Sequence, residues 1–250
     1  MGEAFFYMTM HGSRGTDSLW QLDGMRFSSS EVGGSGRGID VNAGSAQEIV
    51  LQTGGTSAEN ELSVVVMNVI PKAGGNTFSA LFSTAYTANR LQSSNLNSDL
   101  QARGLTLANS VKDVYDVTGA LGGPIVKDRL WFYTAHRAWG HGEYTAGDHP
   151  NLTQGTPFYT PDLTQQAHSG EQNVSDNARL TWQASARHKL NFYVDNQNDC
   201  ECPSSLAATT SPEAAQSPIL GVIGTYGSAW LRPTQILDGR LLKFGGQVTF

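Results

Sequence analysis

The residues of this chain best equipped for catalysis or metal binding are its six histidines and two cysteines. A zinc site needs three or four ligands at close spacing. His136, His141, His149 and His168 are scattered, with no i,i+4 pair and no cage of carboxylates around them. They read as solvated histidines. Cys200 and Cys202 are one residue apart with no second pair nearby, so they form either a strained disulfide or two thiols. Gly34-Ser35-Gly36-Arg37-Gly38 has the glycine density of a phosphate loop, but it follows no clear strand and opens no helix. No G-x-S-x-G elbow, H-E-x-x-H pair or oriented Cys–His arrangement is present. The sequence therefore offers no catalytic set, no metal site and no cofactor site. Asp23 and Asp40 read as turn formers, and Asp23 before Gly24 suits a side chain bonded to nearby backbone.

With chemistry absent, the information lies in patterning. Charged residues are only 15% of the 250, glycine is abundant at 28, and net charge is -6. The acidic balance and the lack of a basic stripe argue against nucleic acid as a partner. Mean hydropathy is -0.30, and no run approaches the ~20 apolar residues of a spanning helix. Strands that cross a membrane leave a weaker signal, because only every second residue faces lipid.

Several stretches carry that period of two. Val114 to Trp139 is a predicted hairpin, with Gly122-Gly123-Pro124 and then Lys127-Asp128 as its turn. Phe78, Ala80, Phe82, Thr84 and Tyr86 share one face of another strand. Ala178, Leu180, Trp182 and Ala184 alternate with Arg179, Thr181 and Gln183; Leu190, Phe192 and Val194 follow after a short turn. Leu242, Phe244, Gly246, Val248 and Phe250 close the series. Earlier, Leu62 to Ile70 reads as a buried strand, Leu19 to Leu22 as a short apolar run, Ser28 to Gly38 as a loop, and Ser45 to Thr53 as a turn or short helix entering a strand. The connections between the later strands alternate long and short. Transmembrane barrels sort loops this way, short on the periplasmic side and long outside. Trp131, Trp139, Trp182, Trp230, Tyr86 and Tyr133 are then candidates for interfacial girdles. Arg129 to Trp139 fits least cleanly, since Arg137 shares a face with Trp131 and Tyr133, and His136 shares one with Leu130 and Phe132. One of the two belongs near an interface.

The motifs in order resemble a known family. SAQEIVLQTGGTSAENELSVVVMNVIPKAGGNTFSALF (Ser45–Phe82) is similar to the end of the plug and the start of the barrel in TonB-dependent outer-membrane receptors, where "QEV-x-V-QTGG-x-SAE" leads to "NVV-[TP]-K-x-GGN-x-F". LGGPIVKDRLWFY (Leu121–Tyr133) resembles that family's early turn, "LGGPI-x-KD-x-L-[FW]-F", and Leu22-Asp23-Gly24 its plug "LDG". The nearest flavour is the Oar-like subgroup, whose complete members carry an N-terminal carboxypeptidase-regulatory-like domain.

The resemblance implies an all-β fold: part of a plug over residues 1–73, then about seven antiparallel strands of an incomplete transmembrane β-barrel over 74–250. Complete members have a signal peptide, a TonB box and about 22 strands around a plugged lumen. Neither signal nor box is seen here, so the expectation is an internal section. The resemblance further implies plug polar contacts at Arg14, Asp23 and Glu59, a periplasmic turn at Gly122, Gly123 and Pro124, and residence in the Gram-negative outer membrane. Its implied partners are outer-membrane lipid, the TonB complex, and a scarce ligand that is an oligosaccharide, a peptide-like nutrient or an iron chelate. The competing expectation is a secreted soluble β-protein that binds glycans through long loops.

Overall fold

The computed structural model describes residues 18–26, 28–29, 36–37, 40–54, 65–153, 156, 158–201, 203 and 240–244. These form an all-β chain with one five-residue helix, α1 (Ser98–Ala102), capped by the Asn97 side chain. The first strands are β1 (Ser18–Leu22), β2 (Met25–Arg26), β3 (Ser28–Ser29), β4 (Gly36–Arg37), β5 (Ala46–Gln52) and β6 (Val65–Pro71). Then come β7 (Ser79–Ala88), β8 (Ser110–Val126), β9 (Leu130–Tyr144), β10 (His168–Ser185), β11 (His188–Glu201) and β12 (Arg240–Phe244).

Two principal sheets result. The smaller has the order β2-β1-β6-β5, and β1 runs parallel to β6. The apolar, β-branched β6 is one of its two inner strands, paired with β1 and β5. Trp20, Leu22 and Val69 form its buried core, joined by Val41, Ala46, Met67 and Tyr193. The larger sheet is a meander, β7 through β12 in sequence order, with every neighbour antiparallel. Within Ser28–Gly38, expected as loop, the described residues form the two-residue pair β3–β4.

Strands β8 to β11 run longer than their apolar alternation. Polar residues from Gly140 to Tyr144 and from His168 to Asn177 remain in the ladder, so the stretch expected as loop shrinks to residues 145–167. Strand pairing supplies backbone hydrogen bonds whatever the side chains, so a polar hairpin stem extends as long as its register holds. The short connections are residues 127–129 and 186–187, at one end of the sheet; residues 89–109 and 145–167 join strands at the other.

The turn expected at Gly122, Gly123 and Pro124 is corrected. All three lie inside β8, opposite Tyr133, Phe132 and Trp131. A Cβ on Gly122 would overlap the Tyr133 ring, and one on Gly123 the Phe78 ring, so these glycines make room for aromatic neighbours. Pro124 is tolerated because the ladder is irregular between it and Val126. The chain reverses at residues 127–129, where Asp128 takes φ +64° and Arg129 N–H bonds Val126 C=O at 3.1 Å. Asp tolerates that left-handed conformation. Asn76 locks the turn, accepting from Asp128 N–H at 2.9 Å and from Trp131 Nε1–H at 2.7 Å.

The large sheet has two unlike faces. One presents Phe78, Phe82, Tyr86, Val117, Leu121, Ile125, Val174, Trp182, Phe192 and Val194, all exposed, with Phe82 at 75%. The other buries Thr118, Arg137, Asn173, Ser175, Asn177, Arg179, Thr181, Asp195 and Gln197. The small sheet lies against this second face. Tyr133 and Trp139 point the same way and are buried, which removes them from the expected girdles; Tyr86 and Trp182 stay on the exposed face. Trp230 lies outside the described residues.

Candidate functional site

The site is the seam between the polar face of the large sheet and residues 40–45, just before β5. Here side chains of β8 to β11 read the backbone of a neighbouring segment. Gln197 clamps Asp40 from both sides: its Oε1 accepts from Asp40 N–H at 2.7 Å and its Nε2 donates to Asp40 C=O at 2.6 Å. Arg137 donates Nη1 to Val41 C=O at 3.2 Å. Asn42 donates to Ser175 Oγ at 3.3 Å, and Tyr133 OH to Gly44 C=O at 2.9 Å. Gly44 is required by proximity, since a Cβ there would sit 2.6 Å from Thr118 Cγ2. Tyr193 OH and Ser175 Oγ in turn hold Asp195 at 3.1 and 3.3 Å.

Two arginines anchor the seam. Arg137 forks onto Asp116 through Nε at 3.2 Å and Nη2 at 2.8 Å, and its guanidinium lies 4.3 Å from the Trp139 ring centroid. Arg179 donates Nη2 to Asp23 Oδ2 at 2.8 Å and Nη1 to Pro71 C=O at 3.1 Å. Charge-assisted bonds of this kind are roughly twice as strong as neutral ones. Arg179 thus ties β10 to the β1–β2 turn and to the end of β6 together. Asp23 holds that turn with φ +52°, and its carboxylate reaches across sheets rather than only to its own backbone.

The hydrogen bonds of the seam are directional, and beside them Val41 and Tyr193 pack against the small-sheet core. Hydrogen bonds fix one geometry, yet water can replace each of them singly. Such an interface positions its partner sharply and still permits displacement. Among the described residues no cluster of three or more metal-binding side chains exists. No helix of the described residues is long and apolar enough to cross a membrane, which leaves crossing by strands open.

No protein-family model matches the chain. Over 127 residues, 50% of the chain, it is 24% identical to the TonB-dependent transporter Oar of Myxococcus xanthus. That similarity to a TonB-dependent transporter covers half of the chain. The matched stretch spans 12% of that relative's length. Among solved structures, the siderophore receptor PirA from Acinetobacter baumannii aligns with a TM-score of 0.49 and 16% identity, over 78% of this chain and 27% of that one.

Of the three residues expected at polar contacts, Asp23 sits on the seam opposite Arg179; Arg14 and Glu59 lie outside the described residues. Arg137 and His136 part company. Arg137 turns into the seam, whereas His136 stands on the exposed face and bonds Asp176 at 2.7 Å, with Thr134 Oγ1 3.0 Å from its other ring nitrogen. Of the four histidines weighed for metal, His149 contacts the Gln165 carbonyl oxygen at 2.6 Å. Cys200 is disulfide-bonded. Sequence reasoning missed Gln197, Asn42, Asp116 and Arg137 as seam residues. A signal was present: in β10, Asn173, Ser175, Asn177, Arg179 and Thr181 are every second residue and all polar.

Proposed function

We propose that this chain is a section of an outer-membrane receptor that admits a scarce ligand when TonB delivers energy to its plug. In this reading residues 1–73 are plug, residues 74–250 are barrel wall, and the seam is where the two meet. What carries the reading is the opposed chemistry of the two faces of the large sheet, exposed apolar on one side and hydrogen-bonded polar on the other. A soluble sandwich buries its apolar face and wets its polar one; here the arrangement is reversed.

The dimensions support it. From Leu130 to Ala138 of β9 is about 26 Å at ~3.3 Å per residue, or about 20 Å of depth at a tilt of ~40°, close to the ~25 Å apolar band of outer-membrane barrels. The sorting of loop lengths between the two ends of the sheet adds weight, as does the printed function of the Myxococcus relative. The role is transport, not catalysis, and the seam is the contact that must loosen when the plug moves. Ligand binding acts by population shift, favouring a plug state that TonB can engage.

Membrane fractionation tests this reading. The whole protein is expected in the detergent-extracted outer membrane with heat-modifiable mobility. Recovery in the medium or periplasm as a soluble species would replace it with the secreted glycan-binding reading.

A further inference from the structure

Residues 40–44 cross the large sheet along a single rung. The ladder sets Thr118 of β8, Arg137 of β9, Ser175 of β10 and Gln197 of β11 side by side. Each of the four meets the segment: Gln197 at Asp40, Arg137 at Val41, Ser175 at Asn42, and Thr118 against Gly44. Three strand spacings of ~4.8 Å span about 14 Å, the reach of roughly four extended residues. All four wall side chains are buried. The wall reads main chain here. Gln197 takes both the N–H and the C=O of Asp40, at 2.7 and 2.6 Å. Arg137 takes the C=O of Val41, and Tyr133, lower on β9, takes the C=O of Gly44. Four backbone groups are therefore held by three wall side chains. When the seam loosens, those side chains give up these partners, and water or another backbone must replace them.

We infer that this rung is a recognition track for an extended peptide, and that residues 40–44 occupy it as a built-in mimic of the ligand. The inference rests on the receptor reading and names its ligand class. Every peptide residue but proline offers one N–H and one C=O, the pair that Gln197 grips on Asp40. The Gln197 amide carries the complementary acceptor and donor on one side chain. Contacts made to main chain leave most ligand side chains unspecified. One position is selective. A Cβ on Gly44 would sit 2.6 Å from Thr118 Cγ2 and 3.7 Å from Ala135 Cβ, so the track takes glycine there and rejects a larger residue. Ligand and plug segment compete for the same rung. A peptide that gains it favours the loosened plug, because it binds only that state.

The test uses the whole protein in detergent and a fluorescently labelled peptide of residues 39–45, IDVNAGS, with binding read by anisotropy. Gly44→Val displaces the built-in segment and leaves every wall side chain in place, so it should bind the peptide about tenfold more tightly than the unaltered protein. Adding Gln197→Leu should cost about tenfold, as should N-methylation of the peptide's aspartate amide, which removes the donor to Gln197. Serine in place of that aspartate should change binding less than about twofold, because its main chain is unaltered. Valine in place of the peptide's glycine should abolish binding. Because Gly44→Val alters a buried position, the unaltered protein supplies a second arm: saturating peptide should speed hydrogen exchange at the Asp40 amide. Unchanged exchange together with no binding by Gly44→Val overturns the inference. So does binding that is indifferent to Gln197→Leu or to N-methylation. Fractionation of the same preparations separates the two failures. Outer-membrane protein that binds no peptide refutes the track alone, and a soluble protein refutes the receptor reading.

Discussion

The two faces of the large sheet handle polar groups in opposite ways. On the seam side, Asn173, Ser175, Asn177, Arg179 and Thr181 follow one another at every second position of β10, and partners from residues 23 to 71 meet two of them, Ser175 and Arg179. On the exposed side the same strand presents Val174, Ala178, Leu180 and Trp182, broken by Asp176 alone. Asp176 is bonded to His136, with side chains 49% and 60% exposed. A single β-strand can therefore carry two solvents' worth of chemistry, because its side chains alternate strictly. Polarity on one side is what holds a neighbour; polarity on the other is confined to a pair that satisfies itself.

Changes that reverse the polarity of one face should break this contrast most strongly. Leu121→Arg places a charge at mid-height on the exposed face, and should cost about 3 kcal/mol in folding into lipid vesicles. Ser83→Arg on the same pair of strands, but on the seam side, should cost less than about 1 kcal/mol. Equal costs would mean that the two faces share an environment. Next in size is Arg137→Ala. It removes the cation from Asp116, which keeps the Thr118 hydroxyl, and the donor from the Val41 carbonyl, and should lower stability by about 2 kcal/mol, reduced from the fully buried case because Asp116 is partly open. Loosening of residues 40–45, read by hydrogen exchange, should accompany it while β10–β11 stay protected.

A smaller effect is expected at the exposed pair. Asp176→Ala should destabilise by about 1 kcal/mol, and the double change H136L/D176L should recover most of that, since apolar replacement of both partners removes the polar groups from the apolar face. A double variant no better than the single one would place this rung in water. The smallest effect concerns the loop of residues 145–167. Hydrogen bonds from Thr164, side chain first and then backbone, hold the Asp162 carboxyl below its ordinary value. A group depressed in the folded state stabilises above its unfolded value and ceases to do so as pH falls through the folded one. Protease cleavage within the loop should therefore increase below about pH 4, and D162N should remove that dependence.

Much of the large sheet was legible from sequence because its signal is local. Phe78, Phe82 and Tyr86, or Leu180 and Trp182, declare a face through alternation alone. The ends of the strands were not legible: from Gly140 to Glu143 and from His168 to Asn173 neither face carries an apolar side chain, and the backbone ladder keeps the hairpin together. The glycines at 122 and 123 misled for a similar reason. Glycine marks turns, but it also marks places where a ring crosses the backbone, and Phe78 is 45 residues from Gly123. The seam was the least legible part. Gln197 and Asp40 are 157 residues apart, and no period within either segment announces that one will clamp the other. Asp23 was identified through its motif, while its partner Arg179 comes from a strand that no motif singled out.

The central claim is that odd and even residues of one strand face different media, and β8 offers the cleanest place to measure this. Single nitroxide labels at residues 117 to 121, in whole protein reconstituted in bilayers with the native cysteines replaced, would report collision with oxygen, which favours lipid, and with a water-soluble nickel complex. The account predicts high oxygen and low nickel access at Val117, Gly119 and Leu121, and low oxygen access at Thr118 and Ala120. Uniform nickel access along all five positions, or oxygen access without alternation, would contradict it.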